Sequence, residues 1–260
     1  MIITVANQKG GVAKTTTAVS VAHGLAIRTG QPTLLLDLDQ QGHDATALGM
    51  MAESCLFDFL VADAPLANCV RQTGRENLLL LPGNARTKHV DLIYRNEIDG
   101  FAKLCQRLRS LPYAFVVIDT PAEGLLQEAA IHVANWIDIP ARCEALSIAG
   151  VHDTLALTQR LNPALRILVT PTMYDKRLNE HGYNLGILRQ LDGDCTDAIP
   201  ARVAVAEAQA RGKTIWEHGD AGLQDVRSAY DALLDHLALP VRPNAHGEAT
   251  WMDVDEAVLP

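Results

Sequence analysis

Positive charge, aromatic rings and long apolar runs are all scarce in this chain of 260 residues. Lys and Arg number 22 against 31 Asp and Glu, a net charge of −9, which excludes a uniformly basic nucleic-acid binder but leaves room for a local basic face. Phe, Trp and Tyr make up 5%, so packing falls to Ala, Leu and Val. No apolar run reaches the roughly 18 residues that a membrane-spanning helix needs. Five cysteines (Cys55, Cys69, Cys105, Cys143, Cys195) are scattered without a C-x-x-C, an odd and unpaired set that argues for reduced thiols in a cytosolic protein. No secretory leader is expected ahead of the first apolar run. There is no internal repeat and no low-complexity tract. What remains is 48% hydrophobic and 20% charged, a composition able to bury a core.

Short β-rich runs alternate with helical stretches. Strands are predicted at 2–7, 33–39, 77–82, 113–119, 136–140, 165–171 and about 196–200, and helices at 14–29, 87–110, 122–134, 147–161, 179–191, 203–211 and 221–238. Several strands are apolar almost throughout, as strands covered on both faces should be. The alternation predicts an α/β, doubly wound, mostly parallel sheet with helices on both faces, whose ligands bind beyond the carboxyl ends of the strands. Residues 1–238 form the expected domain. The composition shifts at about Pro240; two prolines and four acids within 241–260, with no helical period, suggest an acidic tail over 239–260, outside the core.

The first predicted strand runs into Asn7-Gln8-Lys9-Gly10-Gly11-Val12-Ala13-Lys14-Thr15-Thr16. This is a phosphate-binding loop of the G-x-x-x-x-G-K-[ST] kind with Ala13 in place of its second glycine and an additional lysine, Lys9, ahead of the first. Gly10 and Gly11 let backbone approach an anion, and the N–H groups of residues 11–16 open a helix whose dipole favours negative charge. Lys14 is expected at the β- and γ-phosphates, the Thr15 hydroxyl on Mg²⁺, and Thr16 at the α-phosphate. The second strand ends in Asp37-Leu38-Asp39, two acids at i and i+2 that would share a strand face toward the γ-phosphate. The fourth run, Phe115–Ile118, ends in Asp119, the form of a magnesium-side carboxylate.

Together these motifs resemble the ParA family of deviant Walker A ATPases. Its KGGxxKT loop is matched by residues 9–15, its DxDPQG by Asp37–Gly42, and its DTPP by Asp119-Thr120-Pro121-Ala122. Residues 172–179 look like its TMYDxRTN, and 199–203 with 207–215 like its IPRNVRLSEAPSHGKPI. The resemblance covers roughly residues 1–238. It implies ATP and Mg²⁺ as ligands and slow ATP hydrolysis. Lys9 would reach the nucleotide of a second copy in an ATP-dependent homodimer, Asp39 would position water, and Asp37 would lie on the phosphate and magnesium side. Asp119 would hold Mg²⁺ through water. Met173, Asp175, Pro200 and Arg202 would line the adenine. Gln40 and Ala122-Glu123 depart from the pattern, in loops that sense the γ-phosphate.

The family coats the nucleoid by binding DNA without sequence preference and is reset by a ParB-like activator protein. Basic candidates for the DNA contact are Lys176, Arg177, Arg189, Arg202, Arg211 and Lys213, within a stretch (160–213) of eight Lys/Arg and six Asp/Glu. The acidic, proline-broken C-terminus argues against membrane targeting of the MinD kind. The implied function is partition of plasmid or chromosomal DNA by a cytoplasmic, nucleoid-associated ATPase. Three other readings stand beside it. A protein cargo such as a carboxysome or chemoreceptor cluster could take the place of DNA as the thing positioned. An iron–sulfur reductase would need two cysteines near a dimer axis; Cys143 follows the fifth strand, but no cysteine sits just after Asp119, where a partner would be wanted. A scaffold without turnover is disfavoured by Lys9, Asp39 and Asp119 being present.

Overall fold

The computed structural model describes residues 1–53, 55–219 and 221–237, with two short strands beyond them. In chain order the elements are β1 (Ile2–Val5), α1 (Lys14–Thr29), β2 (Thr33–Asp37), α2 (His43–Ala47), α3 (Cys55–Leu60), α4 (Leu66–Cys69), β3 (Arg71–Gln72) and β4 (Leu78–Leu81). Then come α5 (Thr87–Asn96), α6 (Gly100–Arg109), β5 (Phe115–Asp119), α7 (Leu125–Val133), β6 (Trp136–Arg142), α8 (Ala145–Leu161), β7 (Arg166–Thr172) and α9 (Asn179–Leu188). The last are β8 (Asp194–Cys195), α10 (Val203–Ala210), a 3₁₀ turn (Ala221–Leu223), α11 (Gln224–Leu237), and the pair β9 (Arg242–Pro243) and β10 (Ala249–Thr250). The expected acidic tail, 239–260, otherwise lies outside the described residues.

The main sheet has eight strands in the order β3-β4-β2-β5-β1-β6-β7-β8, parallel except for the edge pair β3–β4. The doubly wound arrangement expected from the alternation is present. Successive residues of β2 serve opposite faces: Leu35 packs with Ile3, Val5 and Val117 beneath α1 and α11, whereas Leu34 and Leu36 pack with Val116 and Ile118 against α3 and α5–α7. A third apolar cluster joins β6 and β7 to α8 and α9. Burial on both faces is why the strands read as unbroken apolar runs. Each fully buried leucine contributes roughly 2 kcal/mol relative to exposure.

Several boundaries differ from expectation. The 87–110 helix is two helices. The chain turns at Glu97–Asp99, Asp99 adopts a left-handed φ of 58°, and Gly100 passes so close to α5 that an added Cβ would collide with Tyr94 O. The last main-sheet strand falls at 194–195 rather than 196–200, where only an isolated Tyr174–Pro200 bridge forms. Helices α2, α3 and α4 and the two-residue β3 are too short to carry a periodic signal.

β6 carries a buried acid at the centre of the sheet. Asp138 pairs with Val5 on one side and Leu168 on the other, is 0% exposed, and accepts a 2.6 Å hydrogen bond from the Thr170 hydroxyl. Its Oδ2 has no partner among the described residues. Burial pushes the carboxyl up to about 7 against the Thr170 hydrogen bond, which pulls it down. The folded state therefore keeps a proton that the unfolded chain releases near pH 4. The associated stability is complete below that value and is lost as pH rises through about 7. Between pH 5 and 8 this amounts to roughly 2–3 kcal/mol, at about 1.36 kcal/mol per pH unit. Asp138→Asn should flatten the pH dependence of urea unfolding by that much. Parallel stability-versus-pH curves for the two proteins would show that the buried acid is not the cause.

Candidate functional site

Parallel pairing places the key carboxyl ends side by side. Val5 is in register with Asp119, and Asp119 with Asp37, so the loop after β1 rises beside the acids that end β2 and β5. The loop is fixed from both flanks. The Asn7 amide donates to Pro140 O, its Oδ1 accepts from Lys9 N at 2.8 Å, and Thr154 Oγ1 accepts from Gln8 N. From below, the Thr172 hydroxyl donates to Val12 O. Gly11 and Ala13 both take left-handed φ values, 73° and 72°. Ala13, standing where the usual loop has glycine, thus holds a conformation that a Cβ disfavours by about 1 kcal/mol.

Out of this loop α1 begins at Lys14. Lys14 Nζ donates to Lys9 O at 3.1 Å, and the Thr15 hydroxyl donates to Asp119 Oδ2 at 2.7 Å. Desolvation lowers the Lys14 pKa, while Asp119 and Asp39 act to raise it. Thr16 Oγ1 accepts from the Gln209 amide. The Lys9 side chain is exposed, although its backbone is packed against α8, where a Cβ on Gly150 would lie 2.9 Å from Lys9 Cβ.

The two acids of the second motif separate. β2 ends at Asp37, so Asp39 lies in the following turn and the expected shared strand face does not form. Asp37 is fully buried, and its oxygens accept from the amides of Asp39 (3.0 Å) and Asp44 (3.3 Å). Asp39 is half-buried, with Oδ1 accepting from Gln41 N at 3.0 Å. The turn is pressed into the body at Gly42, φ 63°, where a Cβ would meet Gly83 O at 2.7 Å.

Asp119 is 1% exposed and its Oδ1 has no partner among the described residues. Burial pushes its carboxyl up to about 7, while the Thr15 hydrogen bond and Lys14 hold it down. One oxygen from each of Asp37, Asp44 and Asp119 lies within 4.8 Å of the others. No sequence signal marks Asp44, which follows Asp39 by five residues on the five-residue helix α2. Burial first, then Asp37 and Asp119, push Asp44 well above the usual carboxylate range; burial and Asp119 do the same to Asp37.

A small cavity of about 150 Å³ opens beside Ala13 and Thr16 and is walled by Met173, Pro200, Arg202, Val205 and Tyr230, among others. Three of the four expected base-lining residues meet there. Asp175 does not line it, because its carboxylate holds the Arg177 guanidinium at 2.6–3.2 Å in an outer cleft. The candidate DNA cations are therefore unequal. Arg177 is held by Asp175, Arg202 by Asp225, and Arg211 donates to His218. Lys176, Arg189 and Lys213 are exposed and make no ion pair among the described residues. Glu123 is exposed and lines a separate cleft with Asp39, Gln40, Lys88, Asp91 and Arg95. No helix among the described residues is long and apolar enough to cross a membrane.

Residues 1–169 match a family model described as an AAA domain. The chromosome partitioning protein ParA of Caulobacter vibrioides is 33% identical over 233 residues, covering 82% of this chain and 85% of the relative. The chromosome-partitioning ATPase Soj of Thermus thermophilus is 36% identical over 226 residues, covering 83% and 87%. Among solved structures, an ATP complex of McdA from Cyanothece superposes with a TM-score of 0.81 at 20% identity, covering 93% of this chain and 98% of that one, a likeness of fold.

Proposed function

The chain belongs to the ParA/Soj family of deviant Walker A partition ATPases, and from that premise we propose that it is a slow ATPase acting as a dimerisation switch. ATP joins two copies, the pair holds DNA without reading its sequence, and a ParB-like activator speeds hydrolysis, so that the copies part and plasmid or chromosomal DNA is segregated. Residues 1–238 are the working module, active in the cytoplasm on the nucleoid.

The observation that carries this reading is the meeting of Lys9, Lys14, Thr15, Asp39 and Asp119 at the carboxyl end of the central parallel strands, with the Thr15 hydroxyl 2.7 Å from Asp119. In this reading the amides from Gly10 to Thr16 cradle the phosphates, and Lys14 spans the β- and γ-groups. Thr15 and Asp119 fit a hard cation: a hydroxyl and a buried carboxylate with one orphaned oxygen are the donors Mg²⁺ takes, Asp119 acting through water. Bound there, Mg²⁺ neutralises charge on the β- and γ-phosphates. Asp39, half-exposed beyond the strand end, orients the water that attacks the γ-phosphorus as the bond to the bridging oxygen breaks. Met173, Pro200 and Arg202 enclose the adenine.

Lys9 has a locked backbone and a free side chain, the combination needed to reach a second copy's nucleotide. A lysine delivered across the interface ties dimerisation to ATP and adds charge where it develops during transfer. DNA contact falls mainly to Lys176, Arg189 and Lys213, doubled in the dimer. Arg177, Arg202 and Arg211 contribute once their present partners are released.

DNA retardation and light scattering with ATP, ADP or no nucleotide test the switch. Wild-type protein should dimerise and retard DNA with ATP only, and moderate salt should abolish the retardation. Lys9→Ala should remain monomeric and leave DNA unshifted while still binding nucleotide. If Lys9→Ala dimerises and retards DNA as wild type does, the trans-lysine switch is wrong.

A further inference from the structure

Asp44 is a buried acid for which the nucleotide reading has no use. It sits on α2, is 0% exposed, and neither of its carboxylate oxygens has a hydrogen-bond partner among the described residues. Its neighbours are themselves acids, Asp37 and Asp119, with oxygens of all three inside 4.8 Å. Asp119 Oδ2 is engaged by Thr15, which leaves Oδ1 as another buried oxygen with nothing to accept. Asp37 is already spoken for by the two amides of the turn.

Three carboxylates gathered out of water repel one another, and a low dielectric amplifies that repulsion. Two amides reach Asp37 and one hydroxyl reaches Asp119, but nothing among the described residues compensates Asp44. A single shared proton relieves one charge. A divalent cation relieves all three at once, and the spacing suits it: oxygens on opposite sides of an ion at about 2.0–2.4 Å stand roughly 4–5 Å apart. Carboxylates without sulfur or imidazole select a hard ion such as Mg²⁺ or Mn²⁺.

We propose that Asp37, Asp44 and Asp119 form a site that binds a divalent cation directly and before any nucleotide arrives. Asp44 is the residue that makes it a site, since the other two have other engagements. The inference shares Asp119 with the nucleotide site and rests on that reading only there. All three acids are buried from solvent, so the ion is expected to enter slowly.

Manganese alone is the probe. Nucleotide-free, EDTA-stripped protein is equilibrated with Mn²⁺ and followed by electron paramagnetic resonance, with melting recorded in parallel in EDTA and in Mg²⁺. Wild type should bind one Mn²⁺ per chain and melt higher in Mg²⁺ than in EDTA. Asp44→Asn, close to isosteric, should bind Mn²⁺ at least tenfold more weakly and lose the Mg²⁺ shift. It should melt no lower than wild type in EDTA, which also shows that it folds. Absence of nucleotide-free Mn²⁺ binding in wild type overturns the proposal, as does equal affinity in Asp44→Asn. So does a wild-type melting point that ignores metal but rises on acidification, because a shared proton then holds the cluster. Fluorescent ADP binding by the same preparations separates the two readings. Failed Mn²⁺ binding with intact ADP binding removes the Asp44 site alone; failed ADP binding by wild type removes the ATPase reading.

Discussion

Lys14→Gln is expected to weaken ATP and ADP binding by at least 100-fold. The ammonium of Lys14 stands over the mouth of the loop, held by a 3.1 Å hydrogen bond to Lys9 O, where it closes the ring of donors around a bound anion. Its charge offsets the burial of Asp119, and desolvation strengthens what it offers a phosphate. Charge-assisted hydrogen bonds contribute roughly 1.5–3 kcal/mol each, and an ammonium between β- and γ-phosphates makes two. At about 1.4 kcal/mol per tenfold, the loss is two to four orders of magnitude. Glutamine keeps most of the length and helix propensity of lysine, so α1 should still start at residue 14. Titration with a fluorescent ADP analogue reads the effect directly. Binding within threefold of wild type would mean that the loop does not cradle phosphates.

Asp39→Asn should leave nucleotide affinity within a few-fold of wild type and cut phosphate release by a factor of roughly 100 to 10,000, the range lost when a positioned base is removed. The geometry separates the two effects. Asp39 Oδ1 is already committed to the amide of Gln41, and asparagine can keep that bond, so the turn survives. What disappears is the acceptor character of the second oxygen and the negative charge that orients water. Trapped in the ATP state, the variant should accumulate as dimer and stay on DNA. Phosphate release measured with DNA and the activator present decides the matter, and turnover within threefold of wild type would move the water-positioning role elsewhere.

The sheet and the loop were legible because both obey rules that short windows express. Runs such as Thr33–Asp37 are apolar throughout because each residue is buried on one face or the other, and Lys9–Thr15 declare their chemistry by residue type and spacing. The misses have a common cause in tertiary contact. The long helix over 87–110 has good amphipathic character on both sides of its break, and the Tyr94–Gly100 approach that divides it is not local information. Asp37 and Asp39 look equivalent in sequence, yet the strand stops between them and sends one to the core. Asp44 was illegible for the same reason: nothing within ten residues reveals that it will face Asp119, 75 positions later. Ion pairing of Arg177 and Arg202 likewise depends on where the loops fold, so a count of basic residues overstates the charge available to a polyanion.

The position of β1 in the sheet has a kinetic consequence. It is the fifth of eight strands, in the middle of the sheet, and its neighbours on either side, β5 and β6, follow it by more than 110 residues. Synthesis proceeds at about 5–20 residues per second, so the strand waits on the order of ten seconds before either neighbour exists. The contacts it needs are of high sequence separation, which slows folding further. The nucleotide loop is therefore translated early and assembled late, and a chain cut short before β6 carries the motif without the frame that shapes it. During that interval Ile2–Val5 is an unpaired apolar strand. Its protection during synthesis is expected to depend on chaperones, more than on the loop that follows it.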